Sequence, residues 1–398
     1  MTPAARISAA IDLLDRILAG APAERELTNW ARANRFAGSG DRAAIRDHVY
    51  DALRCRGSFA ALGGAETGRG LMLGLLRHEG AEPAALFSGA RFAPAPLSEA
   101  EAAALAAPPP ADLADLDWPE WMRPLLRADL GADYPAVSAA MRARAPVWLR
   151  VNSARGDLPG AQAALAAEGI ATRVHPQVKT ALEVTEGARK IQSSQPYLSG
   201  AVELQDAASQ AAVAALVAAL GAGLETGQEP PQGPVLDYCA GGGGKALALA
   251  AAWPGTPIRA HDIDGARMHD IPARAARAGV AIAPCRPGHP PGGNALVLVD
   301  APCSGSGTWR RTPEAKWRLS PERLAELVAL QGRILREAGA LVAPGGALAY
   351  MTCSLFDQEN HNQISKFCAD LGWSAQLEQR WLPGAGGDGF FFALLTRA

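Results

Sequence analysis

From about residue 200 onwards, short apolar segments alternate with longer segments of helical pattern, and this alternation constrains the fold more than any other feature. The predicted strands are 234–238, 257–261, 279–283, 295–299, 346–351 and 389–396. The predicted helices are 205–220, 244–253, 264–277, 321–338 and 357–371. Such alternation predicts an α/β fold with a parallel sheet covered by helices on both faces. Asp388-Gly389 is a turn signal, so the last strand is expected to join antiparallel through a hairpin.

The chain before residue 200 divides into a helical region and a small α/β module. Residues 4–80 carry apolar positions at helical spacing, and Asp41 is the predicted N-cap of a helix. Residues 93–120 are rich in Pro and Ala and are typical of a linker. The module then has predicted strands at 147–152, 170–174 and 181–184 and a predicted helix at 158–168.

Composition excludes several classes of protein. The 398 residues are 48% hydrophobic and 20% charged, which is a globular balance, and the net charge of −2 means that any nucleic-acid surface must be a local patch. None of the six cysteines forms a CxxC pair, so no zinc ribbon or dithiol redox centre is expected. The absence of a signal-peptide pattern and of an apolar run of ~20 residues predicts a cytoplasmic protein with reduced thiols and no membrane contact.

A glycine-rich turn follows the first predicted strand of the α/β region, in the segment 235–245 (VLDYCAGGGGK). Glycines let a backbone approach a ligand closely, and the next helix offers its positive N-terminus. An acidic residue that ends the second strand would bind ribose hydroxyls; Asp262 fits that place, and Asp264 is the alternative. Ala246 follows Lys245, so this is not a Walker loop. The pattern predicts a nucleotide-containing ligand and leaves both a dinucleotide and S-adenosylmethionine open.

Two cysteines lie in Gly/Ser/Thr-rich turns after predicted strands, Cys303 in 300–305 (DAPCSG) and Cys353 in 352–354 (TCS). A single free cysteine is most often a small buried hydrophobe, but two at adjacent strand ends indicate a function. Asp300 ends a buried strand, where it either forms the turn or holds a ligand's amino group or base. A helix start near Asp357 would lower the pKa of the Cys353 thiol.

Cations and tryptophans are interleaved in the segment 309–318 (WRRTPEAKWR), directly after the first of these thiols. Single-stranded nucleic acids are bound by such mixtures, although an amphipathic surface loop is the alternative. Arginines also recur at helical spacing near the N-terminus. The predicted RNA-binding residues, if they share one face, are Arg42, Arg46, Arg310, Arg311 and Lys316.

Taken together, these motifs resemble the RNA cytosine-5 methyltransferases of the Nol/Nop/Sun family, and within it the bacterial Sun/Fmu type that modifies small-subunit ribosomal RNA. The family's cofactor loop, Asp-x-Cys-Ala-Ala-Pro-Gly-Gly-Lys, is similar to 237–245. Its Asp-Ala-Pro-Cys-Ser-Gly motif matches 300–305 in full, and its Thr-Cys-Ser followed by Glu-Asn matches 352–354 and 359–360. Further similar segments are 149–152, 205–210, 310–317 and 387–391. The region 40–54 resembles a NusB-like helical RNA-binding domain.

The resemblance implies four regions: a NusB-like domain at 1–92, a linker with connecting helices at 93–140, a small α/β RNA-binding module at 141–200, and a Rossmann-like S-adenosylmethionine-dependent methyltransferase domain at 201–398. It implies these cofactor-binding residues: Asp237, Cys239, Ala240, Gly241, Gly242, Gly243, Gly244, Lys245, Asp262 and Asp300. No metal is implied. The implied partner is RNA, with ribosomal RNA first, and a monomer is the default state.

The resemblance also implies roles in catalysis. Cys353 would be the nucleophile that adds to carbon 6 of cytosine. Cys303 would help to remove the proton from carbon 5 and to release the product, and Asp300 would bind or protonate the ring at nitrogen 3. The pKa of Asp300 would need to be raised for this, and partial burial would supply that.

The chain departs from the family pattern at two places that concern the cofactor. Gly242 stands where the family has a proline, and 285–293 contains no carboxylate where the family has one near the adenine. An RNA-binding assembly factor without cofactor binding is therefore one alternative. A DNA cytosine methyltransferase, with Cys303 as nucleophile, or a small-molecule methyltransferase on the same fold, is another.

Overall fold

The computed structural model describes residues 1–221 and 231–397, and the chain forms two compact units. The first unit comprises Met1–Arg144 together with Trp309–Leu319, and the second comprises Ala145–Thr308 and the chain from Ser320 onwards. The segment 309–319, which the sequence places inside the α/β region, therefore packs with the N-terminal helices. Contiguous domain boundaries drawn on the sequence cannot represent this arrangement.

The α-helices of the described residues, in chain order, are α1 (Pro3–Leu18), α2 (Ala23–Ala33), α3 (Ser39–Arg54), α4 (Arg56–Gly63), α5 (Gly68–His78), α6 (Pro83–Leu86), α7 (Glu99–Ala106), α8 (Leu113–Leu116), α9 (Arg123–Leu130), α10 (Tyr134–Met141), α11 (Leu158–Ala167), α12 (Gln195–Leu198), α13 (Ala207–Ala219), α14 (Gly244–Ala252), α15 (Ile271–Ala278), α16 (Pro313–Arg318), α17 (Pro321–Ala340) and α18 (His361–Leu371). The strands are β1 (Val147–Val151), β2 (Thr172–Val174), β3 (Ala181–Val184), β4 (Val202–Leu204), β5 (Val235–Asp237), β6 (Ile258–Ala260), β7 (Ala283–Pro284), β8 (Asn294–Asp300), β9 (Val342–Thr352), β10 (Trp373–Trp381) and β11 (Phe390–Arg397). No helix of the described ranges is both long enough and apolar enough to cross a membrane.

The first unit is helical, as predicted, and its core is formed by the apolar faces of α1, α3, α4 and α5. Leu14, Ile45 and Val49 are fully buried in it. The prediction that Asp41 is an N-cap is wrong, because α3 begins at Ser39 and Asp41 lies inside its first turn. There the Asp41 carboxylate accepts from the backbone N–H of Gly38 at 3.2 Å and binds the Met1 amino group and Arg6. The carboxylate still compensates the positive helix end, but from inside the helix.

The Pro/Ala-rich segment 93–120 contains two short helices, α7 and α8. A capping box starts α7, because Ser98 Oγ accepts from the Glu101 N–H and the Glu101 carboxylate accepts from the Ser98 N–H. Arg69 of α5 binds the same Glu101 carboxylate, at 2.6 Å. This connection is therefore tied to the helical core by a side chain as well as by the chain itself.

The second unit contains a small antiparallel sheet of order β2-β3-β1-β4. Leu149, Leu165 of α11 and Leu182 are fully buried in its core. Strand β4 was not predicted. It has only three residues, and the middle one, Glu203, is buried against Arg274 and Arg277 rather than being apolar.

The large sheet has the order β10-β11-β9-β8-β5-β6-β7. Strands β9, β8, β5, β6 and β7 are parallel, and β11 pairs antiparallel with both β9 and β10. The predicted Rossmann-like α/β fold and the antiparallel last strand are confirmed. Strand β10 was missed because its residues are mostly polar and exposed. The predicted helix 264–277 is a 3₁₀ turn, Gly265–Met268, followed by α15, because Pro272 permits a helix start but not a helix interior.

Apolar residues on each face of this sheet form two separate cores against the helices. The parallel strands all point their carboxyl ends toward one edge. The turns that follow β5, β6, β8 and β9 meet there, which is where ligands bind in open α/β sheets.

Candidate active site

The glycine loop connects β5 to α14 as predicted. Gly241 and Gly243 have φ values of 51° and 80°, in the left-handed region that favours glycine. Asp237, at the end of β5, is 1% exposed; its Oδ2 accepts from the Ala246 N–H at 3.0 Å, but its buried Oδ1 has no partner among the described residues. Burial raises the pKa of Asp237 to about 7. A buried acceptor without a donor, beside a glycine turn, fits a ligand that carries a donor or a positive charge.

Asp262 and Asp264 follow β6 and have different environments. Asp262 is 2% exposed, and its carboxylate accepts from the N–H groups of Gly241 at 2.9 Å and of Asp264 at 3.0 Å. Arg267 also reaches this carboxylate, at 3.1 Å, with a side chain that is 59% exposed. Asp264 is exposed and caps the 3₁₀ turn by accepting from the Ala266 N–H. Of the two candidates, Asp262 is the one that adjoins the glycine loop.

The segment 285–293, where the family pattern has an acid, is held by backbone contacts. The Cys285 N–H donates to the Ala260 carbonyl at 2.7 Å, and the Gly288 N–H donates to Nε2 of buried His261 at 3.1 Å. His261 Nδ1 lies 2.8 Å from the Tyr238 carbonyl oxygen, which fixes the tautomer that lets Nε2 accept. Exposed Ile263 lies beside this segment, since a Cβ at Gly288 would be 3.8 Å from its Cδ1. The segment therefore offers an apolar side chain and backbone groups where the family pattern has a carboxylate.

The two predicted thiols lie together. Strands β8 and β9 are parallel neighbours with Asp300 in register with Met351, and beyond them the Cys303 and Cys353 sulfur atoms are 3.4 Å apart. The contact with Cys353, together with burial, raises the pKa of the Cys303 thiol well above its usual range. Cys303 therefore keeps its proton while it lies within hydrogen-bonding distance of the second sulfur.

Asp300 and Lys245 form an ion pair at the same edge of the sheet. Lys245 Nζ lies 2.5 Å from Asp300 Oδ2 and over the Phe390 ring at 5.0 Å. The Asp300 side chain is 36% exposed, whereas that of Lys245 is 10% exposed. This pair joins the glycine loop to the turn that carries Cys303, so cofactor loop and thiols share one site.

The helix that follows Cys353 starts later in the chain than predicted. Helix α18 begins at His361, not at Asp357, and the turn 354–360 intervenes. Polar side chains hold this turn, because Asn360 Nδ2 donates to the Ser354 carbonyl and Thr352 Oγ1 donates to Asn360 Oδ1. The helix N-terminus therefore does not lie directly at the thiol.

Glu359 is a functional candidate that sequence reasoning did not assign. It is fully buried, and its carboxylate bonds to Ser304 and Ser354, the residues that follow the two thiols. Its position in the motif after Thr-Cys-Ser was visible in the sequence. Which residues it would bind was not, because Ser304 is 55 positions away.

In the first unit, the five predicted RNA-binding cations do not share one exposed face. Arg42, Arg46 and Arg311 are exposed, but Arg310 and Lys316 are both 2% exposed. Lys316 Nζ donates to the Arg54 carbonyl at 3.1 Å and lies over the rings of Trp118 and Trp317. Burial lowers its pKa to about 8. The assignment of Lys316 to an exposed patch is therefore corrected: the cation–π contacts bury it in the helical core.

A cleft of about 490 Å³ lies between α2 and α3. It is lined by Trp30 and by four arginines, which are Arg32, Arg35, Arg42 and Arg46. Arg46 forms an ion pair with Glu24, whereas the other three form none within the described residues. Phe36, 75% exposed, follows one of these arginines in the chain. Four arginine side chains therefore surround one cleft in a chain whose net charge is −2.

Comparison with known proteins identifies the family. Residues 227–396 match the family described as 16S rRNA methyltransferase RsmB/F, and residues 118–190 match the RsmF/B-like ferredoxin-like domain. The chain is 33% identical over 314 residues to the ribosomal RNA small subunit methyltransferase B of Xanthomonas campestris pv. campestris, covering 73% of this chain and 68% of that protein. It is 32% identical over 306 residues to the protein of the same name from Xylella fastidiosa, covering 71% and 68%.

Solved structures agree on the fold. The crystal structure of PH0851 has a TM-score of 0.74 at 21% identity and covers 100% of this chain and 99% of its own. A methyltransferase homolog protein from Pyrococcus horikoshii has a TM-score of 0.59 at 22% identity, covering 71% and 96%.

S-adenosylmethionine is the cofactor of this family, and the residues of the site fit it. The unpartnered Asp237 Oδ1, the left-handed glycines and Asp262 at the loop suit a ligand with a cationic end and a ribose. Together with the thiol pair and the sequence matches, these features identify the family of the chain. The chain belongs to the RsmB/F family of 16S rRNA methyltransferases.

Proposed function

We propose that this chain transfers a methyl group from S-adenosylmethionine to carbon 5 of a cytosine in 16S ribosomal RNA. The observation that carries the proposal is the 3.4 Å contact between Cys303 and Cys353, beside the Asp300–Lys245 pair and the glycine loop. Carbon 5 of cytosine is a poor nucleophile. Two sulfur atoms that reach the same base allow one to form a covalent bond while the other handles a proton.

Cys353 is the proposed nucleophile. Its thiolate adds to carbon 6 of the ring, which forms a sulfur–carbon bond and gives carbon 5 the electron pair it needs for attack on a methyl group. Asp237, Asp262 and the glycine loop would hold S-adenosylmethionine, which would supply the methyl group from its sulfonium. Cys303, after releasing its own proton to solvent, then takes part in removing the carbon 5 proton, and the electrons of that carbon–hydrogen bond expel the Cys353 sulfur from carbon 6.

Asp300 is the proposed contact to the ring. Its partial exposure leaves the carboxylate open to a base, and Lys245 holds it from the other side at 2.5 Å. A carboxyl that donates to or binds nitrogen 3 withdraws electrons from the ring, so carbon 6 becomes easier to attack. The target base must leave its stack to reach this site, which costs least in single-stranded or loop RNA.

The arginine cleft of the first unit is proposed to bind the same RNA. Arg32, Arg35 and Arg42 can pair with phosphates without first breaking an ion pair to a described residue. Trp30 and Phe36 supply aromatic surface for an unpaired base. The expectations of a monomer and of a cytoplasmic location stay predictions; light scattering tests the first.

A second candidate is an RNA-binding assembly factor that does not use the cofactor. The segment 285–293 contains no carboxylate, and Arg267 already occupies part of the Asp262 carboxylate. Calorimetric titration with S-adenosylhomocysteine separates the two candidates, because the assembly factor would show no binding.

The proposal is tested by methyl transfer from labelled S-adenosylmethionine to 16S RNA from a strain deficient in its methylation. Wild type, Cys353→Ser, Cys303→Ser and the control Cys368→Ser would be compared. We expect label with wild type and Cys368→Ser, none with Cys353→Ser, and a denaturant-resistant protein–RNA adduct with Cys303→Ser. Label with Cys353→Ser and none with Cys303→Ser would assign the nucleophile to the other turn. No label in any sample would contradict the proposal.

A further inference from the structure

A single buried carboxylate ties together the two turns that carry the thiols. Glu359 Oε1 accepts from the Ser304 N–H at 2.8 Å and from Gln331 Nε2 at 2.9 Å. Its Oε2 accepts from the hydroxyls of Ser304 and Ser354, each at 2.5 Å. These four donors occupy the acceptor sites of the carboxylate, so it is fully satisfied without a water molecule.

The bonded residues are the immediate chain neighbours of the thiols. Ser304 follows Cys303, and Ser354 follows Cys353. Gln331 adds a second tie, because its Nε2 also lies 3.0 Å from the carbonyl oxygen of Pro302, the residue before Cys303. The two turns follow different strands and also bond to each other directly, because the Gly307 N–H donates to the Cys353 carbonyl at 2.9 Å and the Leu355 N–H donates to Ser306 Oγ at 2.7 Å. The carboxylate is bonded to both turns at the residues next to the thiols, so its size and position bear most directly on the separation of the sulfur atoms.

The charge of Glu359 is unusual for a purely structural group. It is 0% exposed, and no lysine or arginine of the described residues forms an ion pair with it. Burying a carboxylate without a cation is costly, and the four hydrogen bonds from Ser304, Ser354 and Gln331 must offset that cost. The negative charge also lies close enough to contribute to the raised pKa of Cys303. A role linked to the thiols accounts for the cost.

We propose that Glu359 is the positioning residue that sets the distance between the Cys303 and Cys353 sulfur atoms, so that both can act on one base. The claim that both sulfur atoms act on one base rests on the proposed methyl transfer. The claim that Glu359 sets the distance between the sulfur atoms concerns the protein alone and can be tested without RNA or cofactor.

The test compares Glu359→Ala, Glu359→Gln and Ser354→Ala with wild type and with Gln358→Ala, an exposed neighbour. Diamide oxidises two thiols to a disulfide and takes up their two hydrogens, so its rate reports how often the two sulfurs meet. Peptide mapping would follow the Cys303–Cys353 disulfide, and circular dichroism would establish that each variant is folded. We expect formation in Glu359→Ala to slow by about tenfold or more, and in Glu359→Gln, which keeps the size of the side chain, by about threefold at most.

Single-turnover methyl transfer and calorimetric binding of S-adenosylhomocysteine complete the test. We expect the rate to fall by about 100-fold in Glu359→Ala with cofactor affinity unchanged, and partial recovery in Glu359→Gln. A folded Glu359→Ala that forms the disulfide at the wild-type rate overturns the proposal. If Glu359→Ala does not fold, Ser354→Ala takes its place, and a wild-type disulfide rate there has the same meaning. Slow disulfide formation in these variants, with no methyl transfer even by wild type, supports the positioning role and refutes only the proposed activity.

Discussion

Single residues of the same type differ in this protein chiefly through burial. Asp262 and Asp264 are two positions apart, yet one is 2% exposed and the other lies in solvent. Lys316 and Arg42 both looked like surface cations, yet only Arg42 is one. A buried charge is held by fixed partners, so its removal changes stability, whereas an exposed charge contributes little to stability.

We expect Asp262→Ala to weaken binding of S-adenosylhomocysteine by about 10- to 100-fold, because a hydrogen bond to a charged group is worth about 1.5–3 kcal/mol. Asp264→Ala is the matched control and should change affinity by less than about threefold, since its carboxylate caps a turn. Isothermal titration calorimetry measures both. The reverse order of effects would assign the ribose contact to Asp264.

Asp237 is expected to make stability depend on pH. Its pKa in the folded protein is about 7, whereas an unfolded aspartate has a pKa of about 3.9. Between these values the folded state holds a proton that the unfolded state has lost. The free energy of unfolding should therefore fall as pH rises from about 4 to about 7, by up to about 1.4 kcal/mol per pH unit.

Asp237→Asn cannot titrate and tests this expectation. Urea unfolding of the cofactor-free protein, measured at several values between pH 5 and pH 7.5, should show the variant gaining stability relative to wild type as pH rises. Parallel curves for the two proteins would contradict the raised pKa of Asp237.

At the scale of elements, the site depends on turns that touch through their backbones. The Gly307 N–H donates to the Cys353 carbonyl at 2.9 Å, and the Gly389 N–H donates to the Gly307 carbonyl at 2.9 Å. The turn after β8 is thus bonded to Cys353, the proposed nucleophile, on one side and to Gly389, directly before β11, on the other. Glycine is required where these turns approach.

Gly307→Ala should disturb that approach. A Cβ at Gly307 would lie 2.3 Å from the Gly389 carbonyl oxygen, and neither backbone can yield as a side chain would. We expect a loss of about 1–3 kcal/mol in the free energy of unfolding, together with slower methyl transfer. Gly292→Ala is the control, since a Cβ there meets nothing within 4 Å. Equal stability of the two variants in urea would remove the packing argument.

At the scale of the whole molecule, charge is nearly balanced but unevenly distributed. The net charge of −2 gives no general attraction to RNA, so affinity must come from a local surface such as the arginine cleft. Binding of this kind should weaken steeply as salt is added, in proportion to the number of phosphates that are neutralised.

The triple variant Arg32→Ala/Arg35→Ala/Arg42→Ala should lower RNA affinity and reduce the slope of log affinity against log salt by about 2, which corresponds to about 0.7 per contact with single-stranded RNA. Lys316→Met removes a buried cation and should leave that slope unchanged while altering the melting temperature. Fluorescence anisotropy over a range of salt concentrations measures both. An unchanged slope in the triple variant would exclude the cleft as an RNA-binding surface.

Much of the fold could be predicted because it depends on local pattern. Alternating strands and helices specify a parallel sheet, and parallel strands bring their carboxyl ends to one edge. That rule places Cys303 and Cys353 together, although they are far apart in the chain. The strands that were missed, β4 and β10, are short or polar, and their pairing is decided by neighbours rather than by their own sequence.

The sequence by itself determined the α/β architecture, the glycine loop and the two thiols, because each depends on a pattern of residues that are contiguous in the chain. Only the tertiary structure decided that Glu359 bonds to both thiol turns, that Asp262 rather than Asp264 adjoins the loop, and that Lys316 is buried. Each of these outcomes depends on contacts between segments that are distant in the chain. Burial and hydrogen-bond partners follow from how such segments pack together, and no local pattern carries that information.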